Sequence, residues 1–165
     1  MPGTVFISHS TKDRGAVEHV AKLVSAQGLS VYRAEHDSQP GRHLPEKVRT
    51  NICAADAVLV LLTKSSIDSR YVHQEIGVAK GARKLIVPLV HPDLVHEDLA
   101  MLSGAEFLVF DPDQPTSATP DLVGQLRMIA ERAAVRDVVQ ALVVAAIVVG
   151  VMYALTRDSG GGLTG

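Results

Sequence analysis

Apolar and polar positions follow two periods along residues 1–135, and a third pattern replaces both near the end of the chain. Short β-rich runs at 4–8 (TVFIS), 30–34 (SVYRA), 57–62 (AVLVLL), 85–90 (LIVPLV) and 106–110 (EFLVF) are separated by stretches with helical spacing. Val17, Val20, Ala21 and Val24 share one face of a helix that a capping-box-like Ser10–Asp13 opens and Gly28 stops. Pro45 opens a second helix, with Val48, Ile52 and Ala55 spaced for burial. The unbroken apolar run 57–62 predicts a strand buried on both faces. Residues 64–80 read as loop and helix, and a last helix around 121–135 runs on towards the end. This alternation predicts an α/β fold: a flavodoxin-like, doubly wound, five-stranded parallel sheet with right-handed crossovers. Ligands bind such sheets at the carboxyl edge, where strand order reverses. With the first strand central, that crevice falls between the loops after Ser8 and Leu62.

The third pattern is VVQALVVAAIVVGVMYAL at 138–155, where Gln140 alone is strongly polar. As a helix it covers about 27 Å, close to the roughly 30 Å hydrocarbon core of a bilayer. It is apolar all round, so no polar side exists by which it could lie on a globular surface. The expected organisation is a domain at 1–135, one C-terminal transmembrane helix at 136–157 and a short Gly-rich tail at 158–165. Arg127, Arg132 and Arg136 precede the span, whereas Arg157, offset by Asp158, follows it. The positive-inside rule then places the head in the cytoplasm, tethered to the cell (inner) membrane. MPGTVFISHS has no basic region followed by an apolar stretch, so no signal peptide is expected. Ala146, Gly150 and Ala154 recur at every fourth position, a stripe suited to helix self-association in lipid.

Composition narrows the function by exclusion. A net charge of −2 and a pI near 6.4 provide no basic field, so nucleic acid is not an expected partner. Cys53 is the single cysteine, which excludes a disulfide framework, and the second-helix spacing suggests a small buried hydrophobe. His36, His43, His73, His91 and His96 are scattered with no H-x-x-x-H pair, so no metal site is expected. Neither G-x-G-x-x-G nor a P-loop motif occurs, and Thr63 stands where a phosphoacceptor receiver domain needs Asp. What remains is Ser69–Ile76 (SRYVHQEI), with Tyr71 and Glu75 one turn apart near the open edge of the sheet. Val72, Ile76 and Ala79 form the adjacent apolar stripe. An aromatic plate with a carboxylate one turn away suits a sugar joined to a flat ring.

VFISHSTKD (5–13), the Gly41 loop and SRYVHQEI (69–76) together resemble the three box regions of a TIR (Toll/interleukin-1 receptor) domain, in order and spacing, over about residues 4–135. The resemblance implies cleavage of the nicotinamide–ribose bond of NAD+, with Glu75 as the catalytic residue. Tyr71 stands where the family usually has Trp. Ser8 and Ser10 are candidate substrate contacts, and Arg33 and Arg42, flanking the loop after the second strand, are candidates for the NAD+ pyrophosphate. Nicotinamide is already a cationic leaving group, so no general acid is needed and one carboxylate suffices. An O-glycosidase ordinarily uses two. NAD+ is thus expected as substrate, with no cofactor. The implied protein is a membrane-tethered NAD+ nucleosidase that hydrolyses, cyclises or transfers ADP-ribose, in bacterial antiphage defence or toxin-like signalling. It would self-associate through its heads and its span. The alternative is a non-catalytic adaptor docking other TIR domains at the membrane.

Overall fold

The computed structural model describes residues 2–33, 46–97, 99, 102, 104–114 and 119–158. Strands β1 (Thr4–Ser8), β2 (Ser30–Arg33), β3 (Ala57–Leu62), β4 (Leu85–Val90) and β5 (Leu108–Val109) form one parallel sheet in the order β2-β1-β3-β4-β5. Helices α1 (Arg14–Ala26), α2 (Glu46–Ala54), α3 (Lys64–Ile67), α4 (Arg70–Gly81) and α5 (Thr119–Asp158) join them, with a 3-10 turn at Pro92–Leu94. The order reverses between β1 and β3, as a central first strand requires.

Two apolar layers sandwich the sheet. On one face Val17, Val20 and Val24 of α1 meet Leu122, Leu126 and Ile129 of α5 over Val5, Ile7, Leu59, Leu61 and Leu89. On the other, Val48 and Ile52 of α2 and Val72, Ile76 and Ala79 of α4 cover Phe6, Val58, Val60 and Leu62. Every residue of β3 is buried, which is why its sequence never alternates.

The structure departs from the sequence reading at several elements. β5 is confined to Leu108–Val109, and Glu106 and Phe107 stay outside it. It pairs with β4 only at Leu89 and Val90; the residue before these is Pro88, which has no N–H to offer a ladder. The stretch 64–80 divides into α3 and α4, each capped by its own hydroxyl, Thr63 and Ser69. The helix start at 10–13 is not a capping box: Asp13 is the N-cap of α1 but makes no side-chain cap bond. Cys53 is exposed rather than buried, since it lies one helical step from the inward-facing Ile52.

The last helix begins at Thr119 and does not pause at 135. It runs 40 residues to Asp158, about 60 Å, passing from the packed face into open surroundings. Ala133 is the last buried residue of the helix as far as Tyr153, and the large apolar side chains from Val138 to Tyr153 are 52–67% exposed. The segment 120–153 has a mean hydropathy of 2.1 over its most apolar window and is long and apolar enough to cross a membrane. None of that window is buried in the fold, unlike the core helix of a globular domain.

Close backbone approach at the start of the chain locks α5 onto the sheet. A Cβ at Gly3 would stand 2.6 Å from Ala133 Cβ and 2.9 Å from Leu29 Cδ2. Gly3→Ala is expected to destabilise the domain by about 1–3 kcal/mol through overpacking, read as a lower midpoint in thermal denaturation. An unchanged midpoint would show that α5 is free to shift away from β1.

Candidate functional site

Strand alternation directs Phe6 and Ser8 to the α4 face of the sheet. On α4, burial falls on Val72, Glu75, Ile76 and Ala79, the i, i+3, i+4, i+7 set of one face. Glu75 therefore lies within the apolar stripe, not beside it, and its exposure is 0%. This corrects the expectation of a carboxylate at the open edge. Ser8 Oγ donates to Glu75 Oε2 at 2.6 Å, both groups being fully buried. Such a short O–H···O contact is typical of charge-assisted bonds, about twice as strong as neutral ones.

The loops above this pair are laced together. Thr63 Oγ1, at the end of β3, donates to Asp13 Oδ2 at 2.8 Å, bridging the crevice between the loops after β1 and β3. The same oxygen accepts from the backbone N–H of Ser65 and of Ser66, each at 3.2 Å. One donor and two acceptors exhaust a hydroxyl. Ser66 Oγ in turn accepts from Thr63 N at 2.7 Å, completing a capping box on α3. Lys64 Nζ and Asp93 Oδ2 pair at 2.8 Å outside, raising the Lys64 pKa and lowering that of Asp93 by their mutual hydrogen bond. That pair is exposed and adds little stability.

The six buried polar side chains among the described residues are Ser8, His9, Ser10, Thr63, Ser66 and Glu75. All belong to this one place, the carboxyl ends of β1 and β3 and the helix face beneath. Burying polar groups costs free energy even when they are hydrogen-bonded, and a carboxylate costs most. An apolar residue at position 75 would fit the stripe better, so stability alone does not account for the Glu.

The other expected site residues lie around this cluster at varying distance. Tyr71 is half-buried in the first turn of α4, one turn before Glu75. Ser10 is buried and its Oγ accepts from Lys12 N at 3.3 Å. Arg33 is exposed at the end of β2, in register with Ile7. Arg42 lies outside the described residues. Sequence reasoning missed Asp13 as a tie, Thr63 as its partner, and His9, whose Nδ1 lies 3.1 Å from the Ile7 carbonyl oxygen, a contact that requires a proton on Nδ1. His9 could have been noted from its place between Ser8 and Ser10. A groove of about 800 Å3 runs along α2 and α4 between Arg49, Cys53, Gln74 and Gly77, and Glu75 does not line it.

A parallel sheet reversing at β1/β3 over a buried carboxylate and its hydroxyl partner defines a flavodoxin-like α/β domain with its polar centre at the switch point. The TIR domain family model matches residues 5–123, and the chain belongs to that family. Among solved structures, the TIR domain of the Toll-related receptor TRR-2 from Hydra magnipapillata is similar at a TM-score of 0.57 and 16% identity, covering 74% of this chain and 97% of that one. The CMP N-glycosidase BcmB of Clostridium botulinum is similar at a TM-score of 0.51 and 16% identity, covering 72% and 98%. These likenesses establish the fold. No curated protein matches the chain.

If the Ser8–Glu75 bond sustains the buried carboxylate, Ser8→Ala should lower stability by about 1–3 kcal/mol in urea denaturation. Adding Glu75→Leu to Ser8→Ala should recover most of that loss, because the stripe then becomes apolar throughout. A neutral Ser8→Ala would show that the hydroxyl contributes nothing there.

Proposed function

We propose that this protein is an NAD+ nucleosidase of the TIR family, with Glu75 acting on the nicotinamide–ribose bond. The observation that carries the reading is a carboxylate at a core position of α4, at the one place where polar side chains are buried among the described residues. Bond cleavage sends the glycosidic electron pair to nicotinamide, which departs neutral, while positive charge grows at the ribose anomeric carbon. A carboxylate held in a dry, preorganised site offsets that charge far more than it could in water. Water then adds to the ribose and loses a proton, or a nucleophile within the ADP-ribose or on an acceptor takes its place. Tyr71 supplies a flat face one turn away for a ring to stack on. That a protein of similar fold is a CMP N-glycosidase supports N-glycosidic chemistry on such a fold.

The described state is a resting one in this reading. Glu75 is completely covered, so substrate reaches it only when that cover opens. The exposed half of α5 serves as a single-pass anchor with the head cytoplasmic, and self-association of heads and spans raises their local concentration. A role in bacterial antiphage defence or toxin-like signalling fits such an enzyme. The full burial of Glu75 is also the observation that favours the second reading, an adaptor that docks other TIR domains without turnover.

Incubating the full chain in native membranes with NAD+ separates the two. Nicotinamide release that falls about 100-fold or more in Glu75→Gln, with the variant folded, is expected of the enzyme. Equal nicotinamide release from wild type and folded Glu75→Gln would remove Glu75 from the reaction, and none from either in the assembled state would leave the adaptor. Tyr71→Trp should preserve turnover. Tyr71→Ala should raise KM by an amount set by lost stacking, roughly 1–3 kcal/mol. Unchanged constants for Tyr71→Ala would make that ring a packing element.

A further inference from the structure

The amino edge of the sheet, opposite the buried carboxylate, is where α5 leaves the domain. Arg136, three residues beyond the last buried residue Ala133, hydrogen-bonds Asp56 and its own neighbour Asp137. Asp56 also binds the start of β1: its Oδ2 accepts from Thr4 N and its N–H donates to Thr4 O, both at 2.8 Å. Lys84 Nζ reaches the Ala55 carbonyl at 2.9 Å, drawing the start of β4 to the same point. The beginnings of three strands and the exit of α5 are thus fastened together.

The apolar run starts at Val138, two residues after Arg136, a rise of about 3 Å along a helix that does not break. The polar headgroup layer on each side of a bilayer is about 5–8 Å deep. A flexible linker could hold the domain away from the surface, but none exists between the fastened edge and the apolar run. From the juxtaposition of Arg136 at the fastened amino edge and an apolar helix that begins two residues later, we infer that the amino-edge surface of the domain is seated in the lipid headgroup layer. The inference rests on the reading of α5 as a span.

The chemistry of that edge fits phosphate headgroups. Arg83 is exposed with φ +52°, at the position after α4 where a glycine is ordinary. Its N–H bonds the Lys80 carbonyl and that of Lys84 bonds the Ala79 carbonyl, the paired bonds of a Schellman turn. A cation occupies this left-handed site despite the strain, and Lys80 in the last turn of α4 and Arg132 of α5 are exposed. Of the acidic groups nearby, Asp56 and Asp137 are paired with Arg136, while Glu106 and Glu131 are exposed. Leu85, 39% exposed at the start of β4, adds apolar surface. Exposed cations at this depth are attracted by anionic lipid, an attraction lost within a Debye length of the surface. The carboxyl edge then points away from the membrane towards soluble substrate.

Single labels on the full chain test the seating. Cys53→Ala removes the native thiol, and Arg83→Cys or Ala26→Cys places a fluorophore at the amino edge, the second without loss of a cation. Asp68→Cys places it at the carboxyl edge, between α3 and α4. The protein is reconstituted into vesicles of phosphatidylcholine and phosphatidylglycerol carrying a headgroup nitroxide lipid. Quenching several-fold stronger at positions 83 and 26 than at 68 is the expected result. Equal quenching at the two edges, in protein that floats with the vesicles, overturns the seating while the span stands. Protein that does not float with vesicles overturns the span itself and the seating with it.

Discussion

The burial of Glu75 is the constraint that the site is built to meet, and the Ser8 hydroxyl meets it. A carboxylate under a parallel sheet is sustained only while it is hydrogen-bonded and sealed from competing arrangements. Its donor is the last residue of β1, the strand at which the sheet order reverses. Its helix must also present the 72/75/76/79 face inward, which Ser69 helps to fix by capping α4 at Val72 N. The hydroxyl–carboxylate lacing of Asp13 and Thr63 then closes the loops above it. Fold and site are therefore one set of interactions here. The strand end that carries the polar cluster also forms the centre of the core.

The two ends of the sheet are built on different physics. The carboxyl edge is polar and buried, with side-chain hydrogen bonds holding short loops. The amino edge is fastened by backbone and ionic ties at Asp56, Arg136 and Lys84, which hold the long helix against the strands. The α1 and α5 layer connects them through Val17, Val20, Val24, Leu122, Leu126 and Ile129.

Much of this was legible in the sequence because local periodicity dictates it. The continuous run 57–62 and the valines of α1 announce their element and its burial, and the apolar tract from Val138 announces a helix that the fold leaves exposed. Glu75 was legible too, since its spacing from Val72 and Ala79 places it within the stripe. Cys53 follows the same rule: Val48 and Ile52 face inward, and one residue further turns away by about 100°. What was not legible depends on partners distant in the chain. Asp13 and Thr63 are 50 positions apart, and Asp56 and Arg136 are 80. No local pattern encodes either pair. The short β5 likewise reflects Pro88 in the neighbouring strand, not anything in 106–110.

One consequence of the unbroken α5 concerns angle and not distance. A helix fixes the azimuth of each residue relative to every other, advancing about 100° per position. The bearing of the domain about the helix axis is therefore phase-locked to the bearing of Ala146 and Gly150 on the exposed half. If two such helices meet along that face, the orientation of their domains is already decided before the domains touch. One residue added between Arg136 and Val138 would swing each domain through more than a quarter of a circle and leave the mutual contact of the helices unaltered. In such a pair the geometry is written in the count of residues along a single helix.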